Sequence, residues 1–365
     1  GMEPGTADIV VTAADSQHRA GAVTYDNFGS DIISKHRMVI EFDAGNLASD
    51  GDLLTLRGVT GLDRIDLRKL SYGRVEYLVP VDHNGTKLGV YGANSIYEAG
   101  KSLAPLQIRG KGYVAGIYLT HLMKKQKNQS LTIKTGFDYK NINDYILDDL
   151  NSKDNIRSLN IGISYDFIDR NRGRNIATFT WYQGMSSFFG GAGKNEAGTS
   201  RPGADGSFSR FTLALLRLQE INNNNNLILS ASGQASVVEL FSAEQFSIGG
   251  MGTVRGFKPS LHSGDSGYAL TAELHTSPFS PEKRMFKQQL SETIKFVFFT
   301  DHAGVYKHNT QPGENKNDYL TSIGAGIRLY AGKHFSAMMD WAVPEISRNF
   351  KTNNAETYLQ IVMRF

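Results

Sequence analysis

The chain has no cysteine and only nine prolines among 365 residues. Without cysteine there is no disulfide framework, no thiolate catalysis and no cysteine-ligated metal centre. No window comes near the roughly 18 consecutive apolar residues of a membrane-spanning helix. The mean hydropathy of -0.32 alone would suggest a soluble protein. Charge of one sign is also missing as a block. The 39 basic and 36 acidic residues are spread along the chain and leave a net charge of +3, so no electrostatic footprint for DNA or RNA is present. The opening Gly1-Met2-Glu3-Pro4-Gly5 has neither the basic nor the apolar stretch of an export signal, and such a signal is expected to have been removed.

What is abundant is glycine, at 38 residues, with 20 phenylalanines and 16 tyrosines. That mix suits many strands joined by glycine-tolerant turns. The clearest strand is the last. Leu359, Ile361, Met363 and Phe365 share one face, while Tyr358, Gln360 and Arg364 share the other. The same period recurs at Leu159, Ile161, Ile163, Tyr165 and Phe167 against Asn160, Gly162, Ser164 and Asp166. It returns over 131–139 and 322–329. An apolar face alternating with a small, polar face is the pattern of a strand between lipid and a wet lumen, and it escapes hydropathy averaging.

Sixteen such windows are predicted between residues 20 and 365. An even count puts both ends of the chain on the periplasmic side, so connections should alternate between long and short. The long ones fall at 98–111, 140–155, 188–206, 237–265, 302–318 and 343–355, and the short series is broken by a charged stretch at 278–291. The run Asn222–Asn226 reads as turn chemistry. The fold expected is all-β: a transmembrane antiparallel barrel of about 16 strands over 19–365, preceded by a remnant of a periplasmic domain or junction at 1–18. Phe365 is the closure residue. Sandwiches and propellers also use alternating strands, but neither repeated blades nor a second covering sheet is evident.

The most unusual stretch is Phe246-Ser-Ile-Gly-Gly-Met-Gly-Thr-Val-Arg-Gly-Phe257, inside the longest predicted extracellular connection. It carries Gly249 and Gly250 and then Val254, Arg255, Gly256 and Phe257. In this it resembles the two-partner secretion transporters, the haemolysin-activator type of the outer-membrane protein-assembly superfamily. Their hallmark is a Val-Arg-Gly-(Phe/Tyr) loop after a Gly-Gly pair. Asp26-Asn27-Phe28-Gly29-Ser30 is similar to that family's first strand exit, and Pro4-Gly5 to its domain junction. The resemblance covers essentially the whole chain.

It implies that the loop at about 237–265, after strand 11, folds back into the lumen. Its arginine would meet the aspartate of a Phe-x-Asp-x-Gly motif, which here is Phe299-Thr300-Asp301 with Ala303 where glycine is expected. Strand parity points the same way. With Ile294, Phe296 and Phe298 facing lipid, Phe299 and Asp301 turn inward. Glu273 also turns inward, within reach of Arg255 or Lys295. A guanidinium fork can meet a carboxylate through two parallel bonds, which a lysine cannot. In a wet lumen such a pair is worth roughly 0–1 kcal/mol, making it a latch more than a stabiliser. The plainer reading is that Arg255 ends a solvated loop.

No catalytic residue emerges. His302 and His308, read as lying in one connection, match no metal-ligand spacing. Gly190-Gly191-Ala192-Gly193 lacks the strand–turn–helix setting of a phosphate loop, and no Ser/His/acid set has a supporting context. The expectation is an outer-membrane transporter without enzymatic activity, cofactor, nucleotide or nucleic acid. It would pass a large secreted exoprotein from periplasm to cell surface as a monomer in outer-membrane lipid. The resemblance further implies two periplasmic recognition domains ahead of the barrel. Three alternatives stay open: a factor that assembles or inserts other barrels, a passive diffusion porin, and an outer-membrane enzyme.

Overall fold

The computed structural model describes residues 19–63, 66–67, 69–279, 282–285, 288–347 and 354–365. The segment 1–18, expected to be a periplasmic remnant, lies outside the described residues, as do 348–353 of the predicted 343–355 connection. No helix is long and apolar enough to cross a membrane among the described residues.

The first eleven strands follow one another in chain and in space: β1 (Arg19–Asp26), β2 (Arg37–Gly45), β3 (Leu53–Gly61), β4 (Leu70–Pro80), β5 (Thr86–Glu98), β6 (Arg109–Gln126), β7 (Gln129–Ile146), β8 (Asp149–Ile168), β9 (Arg174–Gly184), β10 (Ser209–Asn222) and β11 (Asn225–Ser236). A small hairpin, β12 (Phe246–Ile248) and β13 (His262–Gly264), then interrupts the series before β14 (Ser266–Thr276) resumes it. After β15 (Arg284–Met285), β16 (Gln288–Gln289) and the one-turn helix α1 (Leu290–Thr293), the series ends with β17 (Ile294–Tyr306), β18 (Asn317–Ala331), β19 (Phe335–Ser347) and β20 (Glu356–Arg364). Sixteen of the twenty strands close into one antiparallel barrel, with β11 pairing β14, β14 pairing β17 and β20 returning to β1. Closure satisfies every edge, a requirement in hydrocarbon where an unpaired backbone group costs several kcal/mol.

The alternation seen in the sequence is the alternation of the wall. On β8, Leu159, Ile161 and Ile163 are exposed on the outer face, whereas Ser158 and Asn160 are buried against the lumen. On β17, Phe298 is exposed outside while Val297, Phe299 and Asp301 are buried inside.

The seam between the first and last strands is short. Its register runs from Ala22 opposite Arg364 to Asp26 opposite Gln360. Phe365 extends it, because the amides and carbonyls of Gly21 and Phe365 exchange hydrogen bonds of 2.9 and 3.0 Å. A Cβ on Gly21 would stand 2.3 Å from the Phe365 ring, so glycine there makes room for the terminal aromatic. At the other end the Asn27 side chain continues the ladder, donating to the Thr357 carbonyl at 2.9 Å and accepting from the Leu359 amide at 2.7 Å.

Two expectations need correction. The predicted loop at 140–155 is instead the top of a long hairpin: β7 and β8 run on to a two-residue turn at Leu147-Asp148, both in the left-handed region. Above the lipid both faces of a strand meet water, so the apolar alternation used to find strands disappears while the ladder continues. His302 is not in a loop. It sits on β17, its Nε2 2.9 Å from the Tyr268 hydroxyl and its Nδ1 2.8 Å from the Thr321 hydroxyl.

Candidate functional site

The 29-residue connection between β11 and β14, 237–265, turns back into the barrel. Its direction is set by apolar side chains at its tip. Ile248, Val254 and Phe257 form one buried cluster with Ala269, Ala303, Val305 and Leu320, which are inward residues of β14, β17 and β18. Ala303 therefore accounts for its own departure from the expected glycine: its methyl belongs to the packing that receives Val254 and Phe257. A second cluster of Val297, Phe299, Ala342 and Tyr358 takes Met251 from the tip and Phe28 from the β1–β2 connection.

The glycines of the motif are backbone requirements. Gly249, Gly250 and Gly256 hold φ of 107°, 84° and 89°, values that an L side chain strains to adopt. At Gly249 an added Cβ would also meet the Lys258 carbonyl oxygen at 2.4 Å. Thr253 closes the turn, its hydroxyl accepting from the Gly249 amide at 2.8 Å. The Gly256 amide donates to the Tyr358 hydroxyl at 2.9 Å.

This turn aims Arg255 at the wall. Its Nε and Nη2 donate to the two oxygens of Asp301 at 2.8 and 2.9 Å, and its backbone amide donates to the same carboxylate at 3.1 Å. Nη1 reaches Glu273 at 2.7 Å and Asp340 at 3.1 Å. The guanidinium carbon lies 3.4 Å from the centre of the Phe299 ring, a cation–π contact. One cation thus faces three carboxylates, and the surplus is relieved at their far sides. Arg328 donates to both oxygens of Asp340, one of these bonds measuring 3.0 Å, and His275 Nε2 lies 2.8 Å from Glu273.

The setting corrects the expectation of a solvent-screened pair. Arg255 is 3% exposed, Asp301 1% and Asp340 0%. For an ion cluster this deep, removing one partner strands a buried charge and costs about 3–5 kcal/mol, not the fraction of a kcal/mol of an exposed bridge.

The predicted site residues Gly249, Gly250, Val254, Arg255, Gly256, Phe257, Phe299, Asp301 and Glu273 therefore converge in one place. Phe365 stands apart at the seam. Asp340, Arg328 and Tyr358 were not singled out, although parity could have found them: Met339 and Trp341 face outward, which turns Asp340 in. The first-strand motif is explained as well. Asp26 accepts from the Phe28 amide at 3.0 Å and from Arg37 at 2.9 Å. A Cβ on Gly29 would lie 1.9 Å from the Ser34 carbonyl oxygen. Among the described residues no group of three His, Asp or Glu side chains could hold a metal ion.

Comparison with known proteins bears on the family and the fold. The chain is 26% identical over 373 residues to the heme/hemopexin transporter protein HuxB of Haemophilus influenzae, covering 98% of this chain and 61% of HuxB. It thus spans about three-fifths of the curated relatives it matches. Among solved structures, CdiB from Escherichia coli superposes with a TM-score of 0.80 at 19% identity, over 97% of this chain and 64% of that one. BamA from Haemophilus ducreyi lacking POTRA domains 1-3 gives 0.66 at 13% identity, over 96% of this chain and 71% of that one. Residues 5–329 match the haemolysin secretion/activation protein family ShlB/FhaC/HecB, and this chain, an outer-membrane β-barrel, belongs to that family.

Proposed function

We propose that the barrel carries a secreted partner protein, an exoprotein of the adhesin or haemolysin kind, from the periplasm to the cell surface through its lumen. In this reading the loop at 237–265 is the pore's plug, and Arg255 with Asp301 and Glu273 is its latch. The observation that carries the reading is the buried Arg255–Asp301 pair, which fastens an extracellular connection to the inner wall of the barrel.

The chemistry required of the protein is modest. Its wall supplies polar, small inward residues, and the loop supplies an obstruction that the latch must return to one set position, so an unlatched loop would pass small ions yet stall the passage of the partner chain. The barrel works as a single chain in outer-membrane lipid, with 1–18 belonging to the junction with a periplasmic domain and 19–365 to the barrel. Periplasmic segments of the longer relatives would choose the partner. The test is surface release of that partner from cells carrying the barrel joined to such segments, with wild-type, Arg255→Ala and Asp301→Ala loops. Loss of release by correctly inserted variants supports the reading, and undiminished release by both would sink it.

A further inference from the structure

The tip is not the loop's only anchorage. Before it reaches β12, the chain passes through Leu240, Phe241 and Glu244, all buried. Leu240 and Phe241 join a third apolar cluster with Ile156 of β8 and with Ala192, Ala204 and Phe208 of the 185–208 connection. Glu244 is 1% exposed at its side chain, and one of its carboxylate oxygens accepts from Lys140 of β7 at 2.6 Å. The other accepts from Arg210 of β10 at 2.8 Å. Gln234 of β11 donates to the Glu244 carbonyl at 2.9 Å and to the Asp265 carbonyl at 3.1 Å, clasping both stems of the loop.

Asp265 is a second hub. It accepts from Arg201 of the 185–208 connection at 2.6 Å, from the Leu240 amide at 2.9 Å and from the His308 amide of the 307–316 connection at 2.9 Å. Three extracellular connections thus meet on one buried carboxylate. The arm is held by β7, β8 and β10 and the tip by β14, β17, β19 and β20, two different stretches of the wall with β11 standing between β10 and β14.

From this geometry we propose that Glu244 is a positioning residue that fixes the plug at a second, separate anchor. Release of Arg255 then frees only the tip side of the lumen, and the arm closes the other side until Glu244 leaves Lys140 and Arg210. The inference rests on the plug reading above and adds to it a two-step opening. The physical reason for separate steps is that the anchors share no charged partner. Arg255 is held by Glu273, Asp301 and Asp340, and Glu244 by Lys140 and Arg210. Groups without common partners contribute independently.

The experiment uses the chain refolded into planar bilayers, with potassium chloride as the conducted probe. Wild type, Arg255→Ala, Glu244→Gln and the double variant are compared. We expect Glu244→Gln alone to raise the time-averaged current several-fold, Arg255→Ala to give openings of a different size, and the double variant to exceed both. Lys140→Met serves as a milder break of the same anchor and is expected to behave as Glu244→Gln does. Because the chain lacks cysteine, Lys140→Cys with Glu244→Cys can be bridged by a short bis-methanethiosulfonate cross-linker, each thiol displacing one methanesulfinate, which should silence the arm openings and spare those caused by Arg255→Ala. A purely structural role for Glu244 would not be rescued by that bridge. Wild-type currents from both Glu244→Gln and Lys140→Met, beside an open Arg255→Ala, would overturn the second anchor. Large steady wild-type currents unaffected by any loop variant would instead overturn the plug itself.

Discussion

Asp340 binds Arg255 of the loop tip at 3.1 Å on the same carboxylate that Arg328 holds from the neighbouring strand. The wall arginine therefore orients the acid that helps hold the loop arginine, and the latch is a chain of charges more than one bridge.

Asp340→Ala should accordingly leave two guanidinium groups buried without a shared counter-charge. Loss of about 3–5 kcal/mol is expected, as for other buried pairs broken on one side. Denaturant unfolding of the refolded barrel measures it. A cost below about 1 kcal/mol, the level of an exposed bridge, would show that water enters the cluster.

Gly256→Ala should dislodge the tip without touching any charge. The new methyl would have to adopt φ near 89° and come within 3.2 Å of the Pro344 amide nitrogen. Strain of this kind costs about 1–3 kcal/mol. Protease cleavage within 249–261 should become faster in the variant, and wild-type resistance would contradict the account.

Tyr358→Phe removes the hydroxyl that accepts from the Gly256 amide. A buried amide left without a partner costs about 1–3 kcal/mol. The variant should speed hydrogen exchange at Gly256 while leaving the β19–β20 ladder protected.

On the periplasmic side, Asp169 in the β8–β9 turn has its carboxyl lowered to about 2, first by the hydrogen bond from Arg217 and next by that from Asn175. A folded value below the ordinary carboxylate range means that the turn gains stability from the charged form at neutral pH. That gain is lost as pH falls from about 4 through about 2. Titration of the Asp169 carboxyl by NMR should show the low value in wild type and a return toward about 3.9 in Arg217→Ala. Identical titrations would rule out the pairing.

Much of this was readable in the chain because lipid and lumen impose opposite demands on alternate residues. Leu159, Ile161 and Ile163 against Ser158 and Asn160 carry the barrel's inside and outside in a run of six residues. The same parity sent Phe299, Asp301 and Glu273 inward, where Arg255 meets them. It failed at 140–155, because β7 and β8 outgrow the membrane and polar side chains then occupy both faces. The arm anchors were illegible for another reason. Glu244, Lys140 and Arg210 come from distant parts of the chain, and nothing local distinguishes a buried glutamate in a loop from a solvated one. The depth of the Arg255 cluster was hidden likewise, since it depends on Val254 and Phe257 packing into one apolar cluster of the wall and Met251 into another.

The central claim is that a partner protein crosses the lumen past a loop latched by Arg255. Its most direct measurement is the amount of partner released at the cell surface by barrels carrying Arg255→Ala or Asp301→Ala, normalised to inserted, folded barrel. The account predicts a large loss of release for both variants. Release equal to wild type from both, with the loop shown to be unlatched, would contradict it.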